Sequence, residues 1–438
     1  MGASKDIICR VSIFPCLGLK TVKILYLAHR LPYPPNKGEK IRVFNQIRHL
    51  ARKHTIHLCS FADDPADLAQ KNSLKEFCAS VEVVYRNNAG TIILALTAFF
   101  QNQPLSVQLF YRRAFAELVR WKFATERFDC IIVSCSSMAQ YVAPSSGIPK
   151  IIDFIDVDSE KWRLYAQHRA FPLSFIYCRE ADRLASYEEN ITALFDHSIL
   201  CSRQEAETLR KRAKERPVSV VANGVDLEYF SPSPISAQSS ERTVVFTGAM
   251  DYFPNIDAVQ FFCREIFPLV RRELPSTQFY IVGRNPTRQL SQLGKQPNVF
   301  VTGTVPDVRP YLAQATVAVA PFRIARGVQN KVLEAMAMGV AVVGTTEAFK
   351  GIAATEQDGV RIANDPCSFA QHVITFLQED ATLRRQAVRQ ARAYVERHHR
   401  WEDQGAKLER LIEEVVRKHR RKENPVHRRD TEITEEFA

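Results

Sequence analysis

Residues 321–339 read PFRIARGVQNKVLEAMAMG, and this stretch decides the fold class of the chain. An apolar, β-rich run at 316–320 precedes it and another at 340–343 follows it, which predicts strand, loop, short helix and strand in the order of a parallel βαβ unit. A helix that begins just after the carboxyl end of a strand points free backbone N–H groups and the positive end of its dipole at a ligand crevice. We therefore expect an anion to bind at this point.

Two charged side chains stand near the start of the predicted helix. Lys331 and Glu334 are three residues apart, so they share one helical face. The cation is placed to meet a diphosphate while the carboxylate reaches ribose hydroxyls. The pattern predicts a site for a nucleotide sugar.

Length and composition limit the class of protein. The chain has 438 residues, and single cores rarely grow past roughly 250 to 300 residues, so we expect two domains. Hydrophobic residues make up 46% and charged residues 24%, which is ordinary for a soluble enzyme. The ten cysteines are scattered, without C-x-x-C or the Cys/His spacing that holds zinc, so we expect them to be reduced in the cytoplasm.

The formal net charge of +11 is partly concentrated in the run 417–422. A solvated tail and a contact with anionic lipid head groups both explain that run. Nothing in the sequence resembles a nucleic-acid reader module, so nucleic acid is not an expected partner.

Two series of short apolar strands alternate with helical patterns, which predicts two doubly wound α/β domains facing across a cleft. We expect an N-terminal extension at 1–22, a first domain at 23–227, a linker rich in Ser and Pro at 228–242 and a second domain at 243–390. The last helical pattern is long enough to return to the first domain at 391–416, and a basic and polar tail follows at 417–438.

One segment departs from the pattern of a soluble domain. Residues 91–100 are almost wholly apolar, and ten residues are too few to cross a bilayer of about 30 Å. Nearby Arg112 and Arg113 suit a helix lying at an anionic membrane surface. A helix packed in the core, or covering an acceptor cleft, is the equal alternative.

Four motifs in order along the chain resemble glycosyltransferase family four of the GT-B fold. They are the turn Asn223-Gly-Val-Asp, the start of the second domain at Gly248, the loop GTVPDVRPY at 303–311, and the opening stretch. More narrowly, LAHRLPYPPNKGEK at 27–40 and DFIDVDSEKW at 153–162 resemble the sugar transferases of PEP-CTERM/exosortase exopolysaccharide systems. The resemblance covers about residues 23 to 415.

This resemblance implies that the second domain binds the donor and the first binds the acceptor. Glu334 matches the second glutamate of the family's Glu-x7-Glu motif, which accepts hydrogen bonds from the ribose. Arg326 stands where the family has its first glutamate, and 248–252 lacks the family's phosphate-binding Arg and Lys. We therefore expect Lys331, assisted by Arg323 or Arg326, to neutralise the diphosphate.

The remaining donor contacts lie on either side of this stretch. Asn330 is placed with the donor-binding residues, and the resemblance implies that backbone groups at Gly303 and Val305 meet the nucleobase. Because fixed cations and a helix N-terminus stabilise a leaving diphosphate by themselves, we expect no metal and no cofactor beyond the nucleotide-sugar substrate.

The first domain offers a loop and a set of carboxylates on the other side of the cleft. Asn36, Lys37 and Gly38 precede the first helix, where a residue without Cβ lets backbone approach a ligand. Asp153, Asp156 and Asp158 end a strand, and one of them, foremost Asp156 or Asp158, is expected to bind the acceptor hydroxyl or to stabilise the oxocarbenium-like centre; Asp158 or Ser159 as N-cap of the next helix is the alternative. The Asp-x-Asp spacing also suits a metal–diphosphate site, but such a motif belongs in the donor-binding half.

We expect a metal-independent, retaining glycosyltransferase, cytoplasmic and peripheral on the membrane, that moves a sugar from a nucleoside diphosphate to a growing lipid-linked exopolysaccharide. The alternatives are a GT-B sugar-nucleotide epimerase and a catalytically silent nucleotide-sugar-binding scaffold.

Overall fold

A computed structural model describes residues 21–86, 103–142, 147–213, 215–232, 242–379 and 381–423. Four predicted regions lie wholly or largely outside those residues: the extension 1–22, the apolar segment 91–100, the linker 228–242 and the tail 417–438.

Seven parallel strands form the first sheet, in the order β3-β2-β1-β4-β5-β6-β7. Their bounds are β1 Lys23–Ala28, β2 Thr55–Ala62, β3 Ser80–Tyr85, β4 Cys130–Ser134, β5 Lys150–Ile155, β6 His197–Leu200 and β7 Val218–Val220. The central strands β1, β2 and β4 are buried almost throughout, since helices cover both faces of a parallel sheet.

Six parallel strands form the second sheet, in the order β10-β9-β8-β11-β12-β13. They are β8 Thr243–Thr247, β9 Gln278–Val282, β10 Val299–Gly303, β11 Val317–Ala320, β12 Ala341–Gly344 and β13 Arg361–Ile362. The order turns back between β8 and β11, which is the kind of switch point where ligands bind in open α/β sheets.

The helices of the first domain are α1 Gly38–Leu50, α2 Pro65–Ala69, α3 Leu105–Leu109, α4 Arg113–Thr125, α5 Asp158–Gln167, α6 Leu173–Leu194 and α7 Arg203–Arg210. Those that follow are α8 Phe253–Phe261, α9 Phe267–Glu273, α10 Arg288–Leu293, α11 Arg309–Gln314, α12 Asn330–Ala337, α13 Thr346–Phe349, α14 Pro366–Gln378, α15 Ala381–His398 and α16 Trp401–Glu423. Short 3-10 turns lie at Gln70–Leu74, Ser136–Tyr141 and Glu356–Asp358, and one π-helical turn, Phe262–Ile266, joins α8 to α9.

The last helical pattern of the sequence is two helices rather than one. The helix breaks because residues 399 and 400 pair with the turn that ends the first domain: Val225 N donates to the His399 carbonyl at 2.8 Å, and His399 Nδ1 lies 2.8 Å from the Asn223 carbonyl. Ala391 and Val395 are still buried in the core of the second domain, so its packing continues beyond the predicted boundary at 390.

The final helix, α16, returns to the first domain. Leu408 and Ile412 share a buried cluster with Ile47 and Leu50 of α1. The predicted architecture, two doubly wound domains facing across a cleft with a C-terminal helix on the first, is confirmed. Within the described ranges, no helix combines the length and the apolar character needed to span a membrane.

Candidate active site

The two domains meet along a cleft at the carboxyl ends of their strands. Asp156 follows β5 in the first domain, and Gly327 lies in the loop after β11 in the second. Gly327 has φ +65°, and a Cβ added to it would lie 2.1 Å from Asp156 Oδ1. Only a residue without a side chain permits so close an approach.

Lys331, in the first turn of α12, is held in a pocket with two phenylalanine rings. Its Nζ donates to Asn255 Oδ1 at 2.6 Å and lies 4.6 Å from the ring centre of Phe246 and 4.9 Å from that of Phe322. A Cβ at Gly248 would come within 2.7 Å of the same nitrogen. Burial lowers the pKa of Lys331 to about 7, against the opposing pull of the Glu334 carboxylate.

Glu334 lies one turn further along the same face of α12. Burial raises the pKa of its carboxyl to about 7, with Lys331 opposing the change. Its carboxylate has no hydrogen-bond partner among the residues that the structure describes. Among the residues that the structure describes, neither charge is part of a salt bridge, and a ligand with an anionic and a hydroxyl-bearing part would supply partners to both.

Arg326 and Arg323 each pair with a carboxylate of the protein. Arg326 Nη2 donates to Glu205 Oε2 of the first domain at 3.2 Å, and its Nε lies 3.0 Å from Oε1. Arg323 is bidentate to Asp257, with contacts of 2.5 and 3.1 Å, and is about half exposed. Both guanidinium groups thus pair with protein carboxylates, and their place on a diphosphate stays a prediction.

The Arg326 contact makes Glu205 part of the domain interface. Glu205 is 1% exposed, and its Oε2 also accepts from Val157 N at 2.8 Å. Burial and then the nearby Asp156 raise the pKa of Glu205 to about 7, while Arg326 opposes them. The cation at 326 therefore compensates a buried acid of the opposite domain.

Asn330 and the cleft loop face one another. Asn223 Nδ2 of the first domain donates to Asn330 Oδ1 at 3.0 Å, and a Cβ at Gly38 would lie 3.8 Å from Asn330 Nδ2. Lys37 is half-buried, and burial followed by the charge of Arg30 and that of Arg284 lowers its pKa. The neighbouring Asn36 is exposed.

Asp156 and Asp158 both lie at the cleft. Asp156 Oδ1 accepts from the Cys201 thiol at 2.9 Å. Asp158 opens α5, accepts from Ser136 Oγ at 3.2 Å and lies 4.0 Å from Lys161 Nζ. Burial raises the pKa of Asp158; Lys161 opposes this and Asp156 adds to it.

Asp153, two residues before the end of β5, has a structural role. It is 1% exposed and forms a bidentate pair with the fully buried Arg42 at 2.8 and 3.0 Å. Arg42 also donates to Asn223 Oδ1 at 2.9 Å. This buried network thus supports Asn223, the side chain that reaches Asn330.

Gly303 and Val305 lie apart from Lys331, at the far edge of the second sheet. Gly303 ends β10 with φ +69° and open space where a Cβ would point, and Val305 packs partly against the second core. In sheet order β10 is two strands from β8, so about 10 Å separates their ends.

The sequence did not identify four residues that the structure places at the cleft: the cations Lys161 and Arg284, and the tyrosines Tyr165 and Tyr252. Tyr165 and Tyr252, one from each domain, are hydrogen-bonded through their hydroxyls at 3.0 Å. Burial lowers the pKa of Lys161, but the nearby Tyr252 and Asp158 have the larger combined effect, so the pKa is raised. Arg284 follows β9 and is half-buried; the rule that ligands bind beyond strand carboxyl ends points to it.

The described residues contain one trio with the spacing of a metal site, and it lies away from the cleft. His54 approaches Glu409 and Glu413 where α16 packs on α1. Lys53 Nζ already donates to both carboxylates, at 2.8 and 2.7 Å, and Val22 N donates to His54 Nδ1, which leaves the proton on Nε2. These contacts fit an ionic helix interface rather than a cation site.

Comparison with known proteins agrees with this geometry. Residues 241–379 match the family model described as Glycosyl transferases group 1. The match covers the sheet that carries Lys331 and Glu334.

The solved structures show the fold. Sucrose-phosphate synthase from Thermosynechococcus elongatus matches with a TM-score of 0.67 at 16% identity, over 90% of this chain and 99% of that one. Anabaena HepE in complex with UDP matches with a TM-score of 0.65 at 15% identity, over 90% and 100%. Together, the matched domain and these neighbours support a glycosyltransferase with the GT-B fold.

A curated relative from Klebsiella pneumoniae, an uncharacterized 44.6 kDa protein in the cps region, is 20% identical over 368 residues. The match covers 81% of this chain and 90% of that protein.

Proposed function

We propose that this protein transfers a sugar from a nucleoside-diphosphate sugar to a growing, lipid-linked exopolysaccharide. The reaction needs no metal and retains the configuration at the anomeric carbon, as the resemblance to glycosyltransferase family four implies. The observation that carries the proposal is the pair Lys331 and Glu334 at the start of α12, two half-buried charges at the mouth of a parallel sheet that form no salt bridge among the described residues.

The donor fits this pair. A diphosphate beside Lys331 supplies the missing anion, the free N–H groups of α12 face it, and ribose hydroxyls reach Glu334. The nucleobase then extends toward Gly303 and Val305, since the distance of about 10 Å between the ends of β8 and β10 suits a diphosphate and a ribose between them. The complex of Anabaena HepE with UDP supports a uridine nucleotide as the first probe.

The sugar lies between the domains, where this chain departs from the family pattern. Arg326 stands where the family has its first glutamate, so this position offers the sugar no carboxylate. The guanidinium is instead paired with Glu205. We propose that Asp156 or Asp158 supplies the carboxylate from the opposite wall. Arg284 and Lys37 add positive charge across the cleft from it.

The proposed acceptor and cellular setting rest on sequence resemblance and on the printed name of one relative. The cps-region relative supports exopolysaccharide assembly, and the motifs at 27–40 and 153–162 resemble those of the PEP-CTERM sugar transferases. A lipid-linked acceptor places the enzyme at the cytoplasmic face of the membrane, bound peripherally.

Donor hydrolysis and transfer test the proposal. The purified chain is incubated with UDP-, GDP- and ADP-sugars, with and without a lipid extract from the producing cells, and the released nucleoside diphosphate is measured. We expect release from one donor, stimulated by the extract. Binding without release identifies a silent scaffold, and a changed sugar in the absence of acceptor identifies an epimerase.

A further inference from the structure

The turn between α5 and α6 exposes large apolar side chains to solvent. Phe171 is 81% exposed, Leu173 44% and Phe175 54%. Every residue from 167 to 173 is exposed, so these side chains form a continuous protrusion, which we call the apolar turn. Contiguous exposed apolar residues on a soluble protein indicate an interaction surface.

The pattern of α6 explains why these groups point outward. Leu184 and Ile191 are buried against the first domain. Phe175 lies nine residues before Leu184, about half a rotation around the helix, so it faces away from the core. Phe171 and Leu173 lie at the amino end of α6, beyond the body of the domain.

The apolar turn borders the mouth of the cleft. Helix α5 begins at Asp158 inside the cleft and runs for ten residues, about 15 Å, to the turn. The guanidinium of Arg169 lies 4.3 Å from the ring centre of Phe253 in the second domain. Its neighbour Tyr252, 45% exposed, continues the exposed aromatic rim on the other side of the cleft.

The charges around the apolar turn favour an anionic partner. Residues 163–183 contain four arginines and two acids, for a formal charge of +2. Glu180 is buried, where it accepts hydrogen bonds from Leu105 N and Ser106 N, and Asp182 pairs with Arg163 at 2.9 Å. Both acids are thus engaged within the protein, and Arg169 is exposed beside the apolar side chains.

We propose that the apolar turn docks on an anionic lipid bilayer, with Phe171, Leu173 and Phe175 in the boundary between head groups and acyl chains and Arg169 at the phosphates. Apolar insertion combined with basic residues is how peripheral surfaces hold anionic membranes. Docking there turns the mouth of the cleft toward the bilayer. The inference rests on the proposed function only for the lipid-linked acceptor, since membrane binding is measured without any sugar.

Liposome sedimentation tests this proposal. The full chain is mixed with vesicles of phosphatidylcholine alone and with vesicles containing 30% phosphatidylglycerol. We expect binding to the anionic vesicles, at least a tenfold fall in partition for Phe171→Ser combined with Phe175→Ser, and a weaker salt dependence for Arg169→Gln. Leu383→Ser is the control, since Leu383 is also an exposed apolar residue but lies on α15, far along the chain in the second domain.

Two further measurements keep the outcomes distinct. Thermal shift with UDP should be unchanged in the Phe171 and Phe175 variant, so failure of the donor proposal and failure of docking are seen separately. No binding by the native chain, or equal partition of native chain and variant, overturns the docking proposal. A lower melting temperature in the variant with unchanged partition assigns the apolar turn to packing within the protein instead.

Discussion

Replacing Lys331 by methionine should remove donor binding while leaving the fold intact. Methionine keeps most of the side-chain volume next to Phe246 and Phe322 and removes the ammonium, with its charge and its hydrogen bond to Asn255 Oδ1. The ammonium is the cation that we place on the diphosphate, so the variant has nothing to offer the anion except the N–H groups of α12. Binding of UDP should therefore weaken far more than the fold.

The size of the loss follows from the position of Lys331. An ammonium about 4 Å from a phosphate oxygen gains about 4 kcal/mol at an effective dielectric of about 20. Because burial lowers the pKa of Lys331 to about 7, half of the molecules carry the charge at pH 7, and charging the remainder costs only about 0.4 kcal/mol. The net of about 3 to 4 kcal/mol predicts a loss of about 10² to 10³ in affinity, similar to the loss of one oxyanion-hole donor.

Calorimetric titration with UDP, supported by thermal shift, measures the loss. Lys350→Met is the matched control, because Lys350 pairs with Glu347 on the surface of the same domain. Unchanged UDP affinity in Lys331→Met would refute the reasoning. So would a large fall in the melting temperature of the ligand-free variant, since Lys331 would then be a structural residue.

The pH dependence of UDP affinity also tests the roles of Lys331 and Glu334. Above pH 7 the ammonium of Lys331 is lost, and below pH 7 the carboxylate of Glu334 is protonated, so UDP affinity should be greatest near pH 7. The alkaline decline should vanish in Lys331→Met.

For stability, the folded pKa of Lys331 lies below its unfolded value, so the penalty for the buried charge is full below about pH 7 and declines toward pH 10.5. The ligand-free Lys331→Met variant should therefore be as stable as the native chain at pH 6, or more stable.

Gly327→Ala should lower sugar transfer at least tenfold, because its Cβ would lie 2.1 Å from Asp156 Oδ1 and hold the domains apart, and its φ of +65° should also lower the melting temperature; full activity would contradict this. Arg42→Met leaves Asp153 buried without its partner, at a cost of about 3 to 5 kcal/mol, and the midpoint of urea unfolding should fall accordingly. An unchanged midpoint would mean that the pair adds no stability. Asp156→Asn and Asp158→Asn should separate the two candidate carboxylates: one of them loses about a hundredfold or more in transfer while keeping UDP affinity. Normal transfer in both would remove the carboxylate from the mechanism.

Much of the fold was predictable because buried parallel strands leave a strong local pattern. The runs at 316–320 and 340–343, which flank the opening stretch, are the strands β11 Val317–Ala320 and β12 Ala341–Gly344, within one residue of the prediction at each end. The break at residue 399 was not predictable, since both sides have helical periodicity and the break depends on pairing with Asn223 and Val225.

The charged groups of the candidate site were predictable only where both members of an interacting pair lie in one short segment. Lys331 and Glu334 lie on one turn of α12, so their spacing alone places them side by side. The partners of Arg326 and Arg323 lie 121 and 66 residues away in the sequence, so no local pattern identifies them. Lys161 was missed because Tyr252, which raises its pKa, lies in the other domain, whereas the position of Arg284 just after β9 was a signal that the sequence did contain.

The sequence by itself determined the two α/β domains and the short segment that presents a cation and an acid at the start of a helix, because periodicity and spacing are local properties. Only the tertiary structure decided which charges are available to a ligand. Whether a guanidinium or a carboxylate remains uncompensated depends on counter-charges that the fold brings from distant segments, as Glu205 does for Arg326, and on burial, which moves the pKa of Lys331 and Glu334 toward neutrality.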